Sequence, residues 1–154
     1  LHKRYDIPPM YMHAIADLFA ESERFHTLAP YKNAIPNVRK LYEAGHRIVA
    51  VTACLDSEIT KRLRYDNLKM HFGNAISEIH YVGVHGSKSD ILHKIKPDVF
   101  VDDLINHLNG APESTSKYLM LQPWNKDELF SETNHSGYLD RVVSDLNFLV
   151  DMYC

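Results

Sequence analysis

The apolar positions of this chain fall into two kinds of run that take turns along it. MYMHAIADLFAESERF at 10–25 has helical spacing and good helix formers. LAPYKN at 28–33 is a turn-rich break, and AIPNVRKLYEAG at 34–45 predicts a helix that sets Ile35, Val38 and Leu41 on one face and stops at Gly45. RIVAVT at 47–52 is a short continuous apolar run, which predicts a strand buried on both faces. SEITKRLRYDNLKMHFG at 57–73 predicts a helix with Ile59, Leu63 and Met70 inward and Gly73 just past its end. Further strands are predicted at 79–84 (IHYVGV), 98–102 (DVFVD) and 117–122 (KYLMLQ), with a short helix at 88–96 between the first two. Segment 137–153 closes as a helix with Leu139, Val142, Leu146 and Leu149 on one face.

Strands that alternate with helices predict an α/β fold, a mostly parallel sheet with helices on both faces. Ligands in such sheets bind at the carboxyl ends of the strands. That rule turns positions into a rim: Thr52 ends the first predicted strand, Lys88 opens the helix after the second, and Asp102 and Asp103 end the third. The 154 residues suit a single domain spanning 1–154, and no repeat, low-complexity tract or linker divides them. The helix at the front, about 1–26, reads either as an ordinary packing helix or as the remnant of a small helical cap.

Composition narrows the function classes. With 24% charged residues, a net charge of -3 and no basic run, charge-driven binding to a nucleic acid polymer is not expected. No apolar stretch approaches the roughly 20 residues of a membrane helix, so no membrane partner is expected. Two cysteines, Cys54 and Cys154, make no disulfide framework, and a cytoplasmic location is the expectation. Ten histidines are many, but none has a recognised zinc spacing.

The rim residues share one chemistry. Adjacent carboxylates are costly to hold together unless a cation sits between them. They suit Mg²⁺, which takes oxygen ligands and keeps waters for a phosphate. A lysine supplies charge for an anion, and a threonine hydroxyl with the amides that follow a strand can hold phosphate oxygens. Taken singly, each has a plain structural reading as a solvated loop acid, a surface lysine or a strand-end threonine. Their common placement points to phosphoryl chemistry on a small phosphorylated substrate.

IVAVTAC (49–54 with Ile48), GSKSDIL (86–92) and VFVDDLIN (99–106) resemble, in order, the second, third and fourth motifs of the haloacid dehalogenase (HAD) superfamily. FHTLAPYKNAIPNVRKLYEAG (25–45) resembles the segment before the second motif in the 5'(3')-deoxyribonucleotidases of that superfamily. The resemblance covers roughly residues 25–125. It implies a Rossmann-like three-layer HAD sandwich and a Mg²⁺-dependent phosphomonoester hydrolase, a 5'-nucleotidase acting on nucleoside monophosphates. It implies phosphate binding by Thr52, Ala53 and Lys88, with Lys88 also catalytic through its hold on nucleophile and phosphate. It implies Mg²⁺ at Asp103, with Asp102 beside it.

The first motif of the family, D-x-D-x-[TV], carries the attacking aspartate on the central strand, and nothing in residues 1–45 matches it. Without that strand, the strands at 47–52 and 98–102 are expected to flank a gap with unpaired backbone groups. Three expectations follow: the sequence is part of a longer protein, a partner chain or second copy donates the strand, or the protein is a non-catalytic HAD-like relative that binds phosphate or a nucleotide. NFLVDMYC (147–154) superficially resembles a strand ending in a nucleophile at Asp151, but the helical spacing continues through it.

Smaller signals carry less. HGSKS (85–89) lacks P-loop spacing, and Cys54 reads as a small buried residue because no base can be named for it. His107 stands four residues after Asp103, where many HAD enzymes place a further acid. In QPWN (122–125), Trp124 can stack on a base or simply pack at the surface.

Overall fold

The computed structural model describes residues 8–84, 86–126 and 142–154. Three helices come first: α1 (Pro9–Ala20), α2 (Glu23–His26) and α3 (Ala34–Glu43). The expected helix at 10–25 is thus broken at Glu21–Ser22, and the Phe19 and Phe25 rings meet edge to face across the break at 6.0 Å. α3 ends as its sequence predicts. Gly45 takes φ 93°, its N–H bonds Tyr42 O at 3.0 Å, and His46 N–H bonds Leu41 O at 3.1 Å. That is the left-handed glycine stop in which two orphan carbonyls of the last turn find donors.

β1 (Ile48–Ala53), α4 (Glu58–Phe72) and β2 (Ile76–Val82) form one parallel unit, with Thr52 opposite Tyr81 and Ala53 opposite Val82. β2 begins three residues before the predicted start and stops before Gly83. Ser57 caps α4 by accepting from Thr60 N–H at 3.1 Å and donates to Glu21 at 2.8 Å. Ser57→Ala is expected to lower stability by about 1 kcal/mol, read as a shift in the urea midpoint at unchanged slope. The buried face of α4 differs from expectation. Ile59 and Met70 are 50% and 54% exposed, whereas Thr60 and Asn67 are buried. The reason is that Thr60 and Asn67 of α4 face backbone carbonyls that need donors. Thr60 Oγ1 donates to Ala20 O, and Asn67 Nδ2 donates to the carbonyls of His26 and Leu28 at 2.6 and 2.9 Å.

The second unit is α5 (Ser89–Ile95), β3 (Val99–Asp102), α6 (Ile105–Asn109) and β4 (Ser116–Met120), then β5 (Val142–Val143) and α7 (Asn147–Tyr153). The strand order is β3-β4-β5, all parallel. Its core is Leu92, Phe100, Ile105, Leu108, Ala111 and Leu119. Here the predicted helix at 137–153 is corrected. Of that segment, 137–141 lies outside the described residues, Val142 and Val143 are strand, and only 147–153 is helical. Val142 pairs with Leu119, which is fully buried, so a β-branched pair gains more in the ladder than its helical spacing offers. Asp151 lies in α7, exposed, as the helix reading of 147–154 expects.

The protein is therefore mixed α/β with parallel strands, but the strands form two sheets, not one. β1 pairs only with β2 and β3 only with β4, so each leaves one edge without a strand partner among the described residues. β1 reads in sequence as buried on both faces, yet none of its six residues is fully buried. An apolar strand with an open edge keeps its side chains half in water. The two units are tied by Asn37 Nδ2 to Asn147 Oδ1 at 2.8 Å and by the hydroxyl of Tyr31 to Gln122 Oε1 at 3.3 Å. Among the described residues no helix is long and apolar enough to cross a membrane.

Candidate active site

Lys88 and the acid pair converge because each ends a short excursion from a strand. After β2 the chain turns at Gly83–Gly86, where Gly86 N–H bonds Gly83 O at 2.7 Å. A Cβ at Gly86 would lie 2.9 Å from Gly83 N, so only glycine fits this approach. Lys88 follows at the start of α5, and Asp102 is the last residue of β3.

Lys88 Nζ lies 2.6 Å from Asp102 Oδ2, with the two side chains 11% and 4% exposed. The other oxygen, Oδ1, accepts from Leu104 N–H at 2.9 Å, and His107 Nδ1 lies 3.0 Å from it. With its proton on Nδ1, His107 is the third donor to this carboxylate. A buried carboxylate needs this degree of compensation, since an unpaired one in a dry site is strongly unfavourable. His107, met in sequence at the place of a further acid, instead supports Asp102.

The acid pair is not equivalent. Asp103 is half-buried, and its Oδ2 accepts from the Trp124 indole N–H at 2.9 Å. Its Oδ1 has no protein partner among the described residues. Asn125, fully buried, donates from Nδ2 to Asp103 O and Met120 O, both at 2.9 Å, and accepts Gln122 N–H at 2.8 Å. Asn125 is a site residue that sequence reasoning missed. The signal was there in QPWN, because an Asn beside a Pro turn can close the turn with its own amide.

Thr52 and Ala53 stand at the carboxyl end of β1, in the other sheet, and among the described residues no hydrogen bond or ion pair joins them to Lys88 or the acids. Cys54 N–H bonds Val82 O at 3.0 Å. Backbone groups of successive strand residues point to opposite sides, so the Ala53 N–H points to the open edge of β1. The Thr52 hydroxyl has no hydrogen bond among the described residues. Beside them, an open cavity of about 440 Å³ at the ends of β1 and β2 is lined by Cys54, Asp56, Lys61, Tyr81 and Gly83. Burial pushes the Cys54 thiol up, against the lowering fields of Arg64 and Lys61, so it stays protonated and inert at neutral pH. Lys61 is held by Asp56 at 2.6 Å, which raises the Lys61 ammonium and lowers the Asp56 carboxyl.

The donor chemistry can be tested against Mg²⁺. Among the described residues no three His, Cys, Asp or Glu side chains form a cluster of the kind that encloses a metal ion. Mg²⁺ does not require one, since it is commonly held by one or two carboxylates, waters and a substrate phosphate. Asp103, with one oxygen unclaimed at the end of β3, meets that need, whereas both oxygens of Asp102 are taken. No family model, curated protein or solved structure matches this chain.

Proposed function

We propose that this chain carries the phosphate and metal side of a HAD-type, Mg²⁺-dependent phosphomonoester hydrolase acting on nucleoside monophosphates, built on a Rossmann-like three-layer sandwich. The observation that carries the reading is Lys88 Nζ 2.6 Å from Asp102, the last residue of β3 and the chain neighbour of Asp103. The pair places a cation at the carboxyl ends of parallel strands, with Asp103, whose second oxygen is unclaimed among the described residues, as the next residue of the chain. Bound Mg²⁺ supplies positive charge to phosphoryl oxygens and fixes their orientation. Asp103 is the residue to hold it. Asp102 aims Lys88, and Lys88 neutralises the phosphoryl group. The Thr52 hydroxyl and Ala53 N–H donate to its remaining oxygens.

The attacking carboxylate belongs, by resemblance, on a strand between β1 and β3. The support for that placement is that each of these strands leaves one edge without a strand partner among the described residues. A strand there would join the two sheets into one parallel sheet. A second reading, a non-catalytic protein that binds phosphate or a nucleotide, is favoured by one observation. The carboxylate nearest Lys88 is already saturated by protein donors.

The test is phosphate release from a deoxyribonucleoside 5'-monophosphate with Mg²⁺. Release is expected, with a loss of at least about tenfold in Asp103→Asn. Undiminished turnover in that variant would sink the site assignment. Ligand-dependent melting without phosphate release would favour the binding protein.

A further inference from the structure

We infer that Trp124 is a positioning residue for Asp103, and that the turn Gln122–Asn125 is a latch that presents this carboxylate to a divalent cation. The inference rests on the reading of the site as Mg²⁺-dependent. Trp124 is 59% exposed, so burial does not explain where its ring sits. Its polar edge is aimed at Asp103 Oδ2, at 2.9 Å. The next residue, Asn125, is fully buried and grips the Asp103 main-chain carbonyl at 2.9 Å. Two consecutive residues of one turn thus hold the backbone and the carboxylate of the same acid.

The kind of donor matters as much as its position. Asp102 faces a lysine ammonium, which offsets its charge. Asp103 faces an indole N–H, which is neutral and can only donate. The indole fixes the rotation of the carboxylate and occupies one oxygen, but leaves the negative charge uncompensated and the second oxygen without a protein partner among the described residues. One neighbour prepares an acid to orient a lysine; the other prepares an acid to take a cation. Partners of this outer kind lower metal affinity by about 10–100-fold when removed. The latch also reaches the first unit, since buried Gln122 accepts from the Tyr31 hydroxyl at 3.3 Å.

The protein contains one tryptophan, so its emission reports on this contact alone. The experiment is Mn²⁺ binding in the presence of inorganic phosphate, followed by electron paramagnetic resonance and by tryptophan emission. The proteins compared are wild type, Trp124→Phe and Asp103→Asn. Wild type is expected to bind saturably with a matching change in emission. Trp124→Phe, which keeps an aromatic ring but has no N–H, is expected to bind about tenfold more weakly at unchanged thermal melting. Asp103→Asn is expected to lose both signals. Equal affinity in wild type and Trp124→Phe, with loss in Asp103→Asn, overturns the latch and leaves the metal site standing. Weaker binding in Trp124→Phe that only tracks a lower melting temperature also overturns it. No saturable binding by wild type overturns the metal site and the latch with it.

Discussion

Lys88→Met is expected to lower the unfolding free energy by about 3–5 kcal/mol, near the lower end of that range. The substitution leaves the Asp102 carboxylate, 4% exposed, without the lysine ammonium that faces it. Leu104 N–H and His107 remain on Oδ1, which is why the loss stays near the low end. The pair itself contributes far less than that figure. Removing both charges in Lys88→Met/Asp102→Asn is expected to recover most of the loss, because the desolvation penalty of the orphaned acid goes with it. Urea unfolding of the wild type, both single variants and the double variant closes the cycle. A single Lys88→Met variant within about 0.5 kcal/mol of wild type would mean that the pair is solvated and the account of its burial wrong. A double variant that regains stability without regaining phosphate binding would separate the structural role of Lys88 from its role toward the anion.

Asn125→Ala is the second large effect, expected at roughly 3 kcal/mol. The Asn125 side chain closes three hydrogen bonds in a fully buried position, and truncation leaves Gln122 N–H and the carbonyls of Asp103 and Met120 unpaired. A buried polar group left unsatisfied costs about 1–3 kcal/mol, and entry of a water into the vacated space offsets part of the sum. Asn125→Asp keeps the acceptor for Gln122 but turns both donors into acceptors facing carbonyls, so it is expected to be no better than alanine. Urea midpoints test the energies, and faster hydrogen exchange at the Gln122 amide tests the assignment. Unchanged exchange at Gln122 in Asn125→Ala would remove Asn125 from the turn. A loss at Asn125 is also expected to loosen Asp103, because the Asn125 amide ties the Asp103 carbonyl to that of Met120 just past the last paired residues of β3 and β4.

How much of this was legible depended on what decides each feature. The stop of α3 at Gly45 and the cap of α4 at Ser57 were readable because they depend on a few adjacent residues and their backbone angles. The inward face of α4 was misread at Ile59 and Met70. Spacing finds apolar stripes, but the partner of α4 is the carbonyl-rich chain at Ala20, His26 and Leu28, which asks for Thr60 and Asn67 instead. Val142 was read as part of a helical face, and its pairing with Leu119, 23 positions earlier, makes it strand instead.

The candidate site divides the same way. Asp102, Asp103 and Lys88 were named from order and placement at strand ends; Thr52, named by the same rule, ends a strand of the other sheet and is not joined to them by a hydrogen bond among the described residues. The partners could not be named. Lys88 chose Asp102 rather than Asp103, His107 turned toward Asp102, and Trp124 turned toward Asp103. Element type, helix ends and the chemistry of the rim are written in local runs of residues, because hydrophobic period and backbone preference act over a few positions. Which acid is neutralised, which is left charged, and that β1 and β3 each keep an open edge were decided by the tertiary structure. Those outcomes depend on burial and on contacts between residues far apart in the chain, where the energy of a charge or a strand edge is set by what packs against it.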